Sequence, residues 1–254
     1  MPNIHASFLC LVLLSSCDSP ARAATAAPPP VAQTTAAPAK PVTTTPVATD
    51  RPAQPGPALD PSRGREIGLV FEAYLSPHQE SGEESETPKT VPKVFKSTTP
   101  SQDRATREAA GHRGHGRIRF TRDLSRAFVD VKIEGVDPAT INMFHIHCGN
   151  PGILGPIIID FSLSTDIQKD LADGVLSVEL KNEHLVKVVD HGHGLVGAFT
   201  AGCPIPDAAP TSRVSTVAGM LQYALARQLY FNLHTTGQTY FGDLRGQVHP
   251  VAPP

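Results

Sequence analysis

The sequence has no tryptophan and only four tyrosines in 254 residues. Beside 25 prolines, that is an odd mixture for one compact domain of this length. Excess positive charge is missing too: 22 Lys and Arg stand against 24 Asp and Glu, a formal net charge of −2. That balance excludes a nucleic-acid binder or a polybasic membrane-surface protein, since both depend on surplus cations. No apolar run reaches the roughly 18 residues that a membrane-spanning helix requires. Catalytic signatures are absent as well. No Ser-His-Asp order, no H-E-x-x-H and no phosphate-cradling glycine loop occurs, and no pair of carboxylates stands out from the surface charge. No enzyme is expected. What the chain does have is 25 prolines, spread unevenly, so its length overstates the folded part.

The first segment reads as an address. Phe8-Leu9-Cys10-Leu11-Val12-Leu13-Leu14 is an unbroken apolar run, followed by small residues and Asp18-Ser19-Pro20. Such a run fits a signal-peptide core and is too short to span a bilayer. Leu14-Ser15-Ser16-Cys17 resembles a bacterial lipobox, which implies a signal peptide over 1–16 and lipidation of Cys17. Attached acyl chains exceed the single chain that anchors only marginally. The alternative is cleavage after Ala21-Arg22-Ala23, giving a secreted protein. Residues 1–7 carry no Lys or Arg, although this region of a signal peptide is normally basic. The expected location is the bacterial cell envelope, with the protein lipid-anchored and facing the periplasm or the exterior.

Cys10 and Cys17 belong to this leader, which leaves Cys148 and Cys203. Two cysteines in an exported domain most simply form a disulfide; the alternative is a thiolate ligand or a reactive thiol. Between the leader and the domain, residues 17–63 are mostly Ala, Pro and Thr with no aromatic residue. Such a stretch cannot bury enough apolar surface to offset its ordering entropy, so a disordered, fairly stiff tether is expected.

The domain is expected over 64–250. Gly68–Leu75 reads as its first strand. Residues 77–116 then lack apolar periodicity and carry six acidic and six basic side chains, the pattern of a mixed-charge, structureless insertion. Short strands with turn signals follow: Arg117–Thr121, Ala127–Ile133, Ile141–Cys148, Gly155–Phe161, Gly174–Leu180, Leu195–Thr200, Leu229–Thr235 and Gly242–His249. One helix is predicted from the spacing of Val214, Val217, Ala218, Leu221 and Leu225, with a cap at Thr211-Ser212. This is an all-β pattern, an antiparallel β-sandwich or barrel-like domain with one short helix.

Two strands carry histidines with matching parity. Strand period two puts Phe144, Ile146 and Cys148 on one face and Met143, His145 and His147 on the other. In the later strand Phe231 and Leu233 alternate with Tyr230, Asn232 and His234. If these strands pair, His145, His147 and His234 converge. Three neutral imidazoles suit zinc or copper, and an adjacent thioether tilts the choice toward copper(I). The competing reading is that they hydrogen-bond backbone groups and hold the polar face of the sheet together. His112, His115, His191 and His193 lie in glycine-containing stretches and are weaker metal candidates; His184 reads as a solvated surface residue.

Phe144-His145-Ile146-His147-Cys148-Gly149-Asn150-Pro151-Gly152-Ile153-Leu154-Gly155-Pro156-Ile157-Ile158 resembles the HIH-x-G … G-x-x-G-P-[VI]-[VI] core of the CHRD domain, a module named after chordin. Tyr230-Phe231-Asn232-Leu233-His234-Thr235 and Gly242-Asp243-Leu244-Arg245-Gly246-Gln247 resemble its closing motif, and Phe71-Glu72-Ala73-Tyr74-Leu75 its opening strand. The resemblance spans about 66–250. The 77–116 stretch is longer than the family's usual connection, and Cys148 stands at a position not usually cysteine. In chordin these domains belong to a growth-factor-binding protein. The bacterial members have no general activity to carry over; the signal, the tether and a single β domain without a catalytic set lead to the expectation of a non-enzymatic binding module, displayed on a lipid-anchored stalk, with a protein or glycan ligand. The alternative is copper or zinc handling through the three histidines. An HIH strand is also similar to copper,zinc superoxide dismutase, but no histidine occurs between His147 and His184, so the zinc-loop histidines are missing and dismutase activity is not expected.

Overall fold

The computed structural model describes residues 60–192, 197 and 200–251. The signal segment 1–16, Cys17, the tether up to residue 59, His193 and most of the expected strand Leu195–Thr200 lie outside the described residues. Among the described residues no helix is long and apolar enough to cross a membrane.

Among the described residues nine strands form two antiparallel sheets. The first contains β1 (Ile67–Leu75), β2 (Arg113–Thr121), β3 (Ala127–Glu134), β6 (Val175–Leu180) and β9 (His249–Pro250), in the order β6-β3-β2-β1-β9. The second contains β4 (Ile141–Cys148), β5 (Ile157–Asp160), β7 (Leu229–Thr235) and β8 (Leu244–Gln247), in the order β5-β4-β7-β8. The alternating residues Phe71, Ala73, Ile118, Phe120, Val129 and Val131 of one sheet meet Phe144, Ile146, Phe231 and Leu233 of the other, all buried. The rings lock at offset angles: Phe71 meets Phe120 edge-on at 5.7 Å, and Phe144 lies 4.9 Å from Phe161 and 5.9 Å from Phe231. Gly116 lets the layers approach closely, because a Cβ there would stand 2.8 Å from the Phe231 ring.

The sandwich is joined at one corner. The Ser76 N–H donates to the Arg245 carbonyl (2.9 Å) and the Arg245 N–H to that of Ser76 (3.2 Å), linking the end of β1 to β8. The expected single strand Gly242–His249 is in fact two, β8 and β9, which belong to different sheets with buried Val248 at the bend.

Helices are short and more numerous than the one expected. α1 spans Arg104–Ala109, α2 Ile167–Asp170, α3 Asn182–His191 and α4 Val217–Leu225. α4 is the helix expected from periodicity, but Thr216 caps it, accepting from the Gly219 N–H. α3 escaped notice because only Leu185 and Val188 of its ten residues are buried, too narrow a stripe to stand out.

The expectation of a structureless loop over 77–116 is overturned. Pro77–Gln79, Glu84–Glu86 and Lys93–Phe95 each form a 3-10 turn, α1 follows, and β2 already begins at Arg113. The physical reason is that three of the charged side chains, Glu80, Glu84 and Arg107, are internal. Glu84 accepts from the Ser97 hydroxyl (2.7 Å) and from the backbone N–H of Tyr240 (3.0 Å) and Phe241 (3.1 Å). Arg107 donates to the carbonyls of Gly242 and Asp243. These bonds dock the segment on the turn between β7 and β8.

Candidate metal centre

β4 and β7 pair antiparallel with Met143 opposite His234, His145 opposite Asn232 and His147 opposite Tyr230. The parity of each strand then carries His145, His147 and His234 to the same face. One ring nitrogen from each lies within 4.8 Å of the other two. Ring centroids are 5.3 Å apart for His145–His147 and His145–His234, and 6.4 Å for His147–His234. The face expected to be polar is covered: the three residues are 4, 9 and 5% exposed.

Two of the three rings are held in place by a backbone carbonyl outside the cluster. His147 Nδ1 lies 2.8 Å from the Gly155 carbonyl, and His234 Nδ1 lies 3.0 Å from that of Thr239. A carbonyl only accepts, so in both rings Nδ1 carries the proton and Nε2 is left with a lone pair. His145 Nε2 stands 3.7 Å from Asp160, its register partner on β5. The remaining nitrogens, His145 Nδ1, His147 Nε2 and His234 Nε2, find no hydrogen-bond partner among the described residues. Backbone bonding therefore accounts for one nitrogen on each of two rings and leaves the inward-facing set unexplained. Leaving a buried polar atom unpaired costs about 1–3 kcal/mol, and here three occur together.

The cluster is also uncharged. Burial pushes His147 down to about 3 and His234 to about 4. His145 is held well below its ordinary range by burial and then by its two imidazole neighbours. Neutral rings oriented through their second nitrogen are the form in which histidine binds metal. His147 is further fixed by stacking on Tyr230 at 4.9 Å with a 6° interplanar angle. The Arg245 guanidinium lies 3.5 Å over the Tyr230 ring, and the Tyr230 hydroxyl accepts from the Gly155 N–H. Met143, the cross-strand partner of His234, shares the cavity that the imidazoles line.

Among the described residues, the other histidines form no second group of three possible ligands. His112 Nδ1 lies 2.6 Å from Asp243, whereas His115 Nε2 lies 3.1 Å from Glu72, so this pair serves two separate contacts. His184 opens α3, its Nδ1 accepting from the Lys181 N–H, and His191 ends that helix. Cys148 and Cys203 form a disulfide with Cα atoms 6.1 Å apart, which removes both as thiolate ligands. Sequence reasoning missed Asp160 as the partner of His145 and Glu80, Glu84 and Arg107 as internal charges. Asp160 directly follows the Ile157-Ile158-Ile159 run on the strand beside His145, a placement that could have flagged it. The three internal charges had no local signal.

A family model for the CHRD domain matches residues 94–248. No curated protein and no solved structure matches the chain. The matched stretch contains β2 to β8, the three clustered histidines and both cysteines of the disulfide, while β1 lies before it. With more than half of its length covered by that model, the chain belongs to the CHRD domain family.

Proposed function

We propose that this chain is a non-enzymatic CHRD binding module whose ligand is a copper or zinc ion held by His145, His147 and His234. The observation that carries the reading is the convergence of three neutral, buried imidazoles, each of which has a ring nitrogen without a hydrogen-bond partner among the described residues. Three protein ligands leave one position of a tetrahedral ion open. The thioether of Met143 beside His234 favours copper, as copper(I), over zinc. The leader motif supports display on the cell envelope through lipidated Cys17.

The test is the metal content of the full-length chain, purified without an affinity histidine tag and titrated with copper and zinc. About one equivalent per chain is expected, bound by three ligands, and His145→Ala combined with His147→Ala should abolish it. Unchanged stoichiometry in that double variant would remove these residues from the site. Sustained turnover of an envelope substrate by the purified protein would overturn the non-enzymatic reading.

A further inference from the structure

The imidazoles do not face a closed shell. They line a cavity of about 400 Å³, within the roughly 300–1,000 Å³ that small-molecule sites occupy. A closed structural metal site needs no such space. The buried rings form its floor, and Leu154, 42% exposed, stands at its rim. Its walls are largely apolar: Phe95, Met143, Leu154, Pro156, Ile157 and Tyr240. Among the described residues no Lys or Arg lines it, and Asp160 is its single carboxylate. The walls add no cation to the charge of the bound ion, and the Asp160 carboxylate offsets part of that charge, so the walls themselves favour an uncharged ligand over an anion.

Independent segments build these walls. Phe95 comes from the charged insertion, Leu154 to Pro156 from the turn between β4 and β5, and Ile157 from the start of β5. Tyr240 is positioned by its N–H bond to buried Glu84. The insertion thus shapes the space above the histidines instead of merely capping the sheet.

We propose that the open coordination position and this cavity together bind an uncharged organic ligand: a donor nitrogen on the ion and an aromatic or aliphatic body against Phe95, Leu154 and Tyr240. This rests on the metal reading above and adds the class of molecule that the loaded site takes. Specificity comes from the walls, because any small donor can fill the position on the ion.

The experiment is calorimetric titration of the full-length chain carrying copper or zinc, with metal content measured on the same sample. The probes are imidazole, 4-phenylimidazole and azide. The phenyl group adds apolar area that only the cavity can bury, so 4-phenylimidazole should bind at least about tenfold more tightly than imidazole. Azide should be no tighter than imidazole. Phe95→Ala, at a half-buried loop position, should cut the phenyl advantage to less than about threefold while leaving imidazole affinity unchanged. Leu154→Ala provides a second wall variant at an exposed residue. Equal affinity for the two imidazoles on a metal-loaded chain, or a phenyl advantage untouched by both wall variants, would overturn the pocket and leave the metal reading standing. A chain that retains neither metal would overturn both.

Discussion

Glu80 is an acid without a donor. It is 4% exposed, and neither carboxylate oxygen has a hydrogen-bond partner among the described residues. Burial pushes its carboxyl up to about 8, with Arg245 and then Arg107 partly opposing the shift. Its Oε1 and the equally unpartnered Asn232 Oδ1 both lie within 2.7 Å of where a Cβ on Gly242 would stand. Gly242 is therefore required twice over, by that space and by a φ of +100°. A protonated Glu80 is the form that can donate beside the amide oxygen of Asn232. The sign of the linkage follows. In the unfolded chain the group ionises near 4.5, in the folded one near 8, so the unfolded chain releases its proton first as pH rises. Stability should fall between about pH 4.5 and 8 and level off beyond, each unit of difference being worth about 1.4 kcal/mol. Glu80→Gln retains the shape and cannot ionise. Relative to that variant, the wild-type melting temperature should decline across this range, leaving the variant the more stable at pH 9. Parallel curves from pH 4 to 9 would show that Glu80 does not enter the folded state protonated.

At the scale of elements, the strands were legible because their chemistry is local. Alternation of Phe144, Ile146 and Cys148 with Met143, His145 and His147 specifies both the strand and its faces. Once β4 and β7 pair, the three histidines converge without any further information. The cover over them was not legible. It comes from Phe95 and Tyr240, remote in sequence, and from a segment whose balanced charges look the same whether solvated or internal. No composition rule separates Glu84, which accepts one bond from Ser97 within the segment and two from the turn between β7 and β8, from exposed Glu86. The disulfide belongs to this scale as well. It ties the end of β4 to the chain beyond α3 across a separation of 55 residues. In the chain-entropy description, closing such a loop is worth about 4 kcal/mol. Replacing both cysteines with serine should lower the unfolding free energy in denaturant by about that amount, without loss of the β-sheet circular dichroism signal. Cys148 points into the core and His147 away from it, so metal stoichiometry should survive. A double variant as stable as the wild type would mean that the sheets alone set the stability of the domain.

For the whole molecule, the question is how the domain is held in place. β1 lies between β2 and the two-residue edge strand β9 and joins β8 through Ser76 and Arg245, so the first strand of the domain is tied to both sheets. Ahead of the domain stand the Ala-, Pro- and Thr-rich segment and the Leu14-Ser15-Ser16-Cys17 motif. Lipidation of Cys17 and cleavage after Ala23 are two processing routes with different consequences, and one substitution separates them. On the lipidated route the acyl chains provide the membrane affinity. Full-length protein expressed in a bacterial host should then partition into the membrane fraction and extract only with detergent. Cys17→Ala should move to the soluble fraction, or stay as a larger unprocessed precursor. N-terminal sequencing gives an independent readout: a blocked terminus is expected from lipidation, and a free terminus beginning at Ala24 from the secreted route. Retention of fully processed Cys17→Ala at the membrane would refute anchoring through that residue. The domain would then have to be held by a contact of its own.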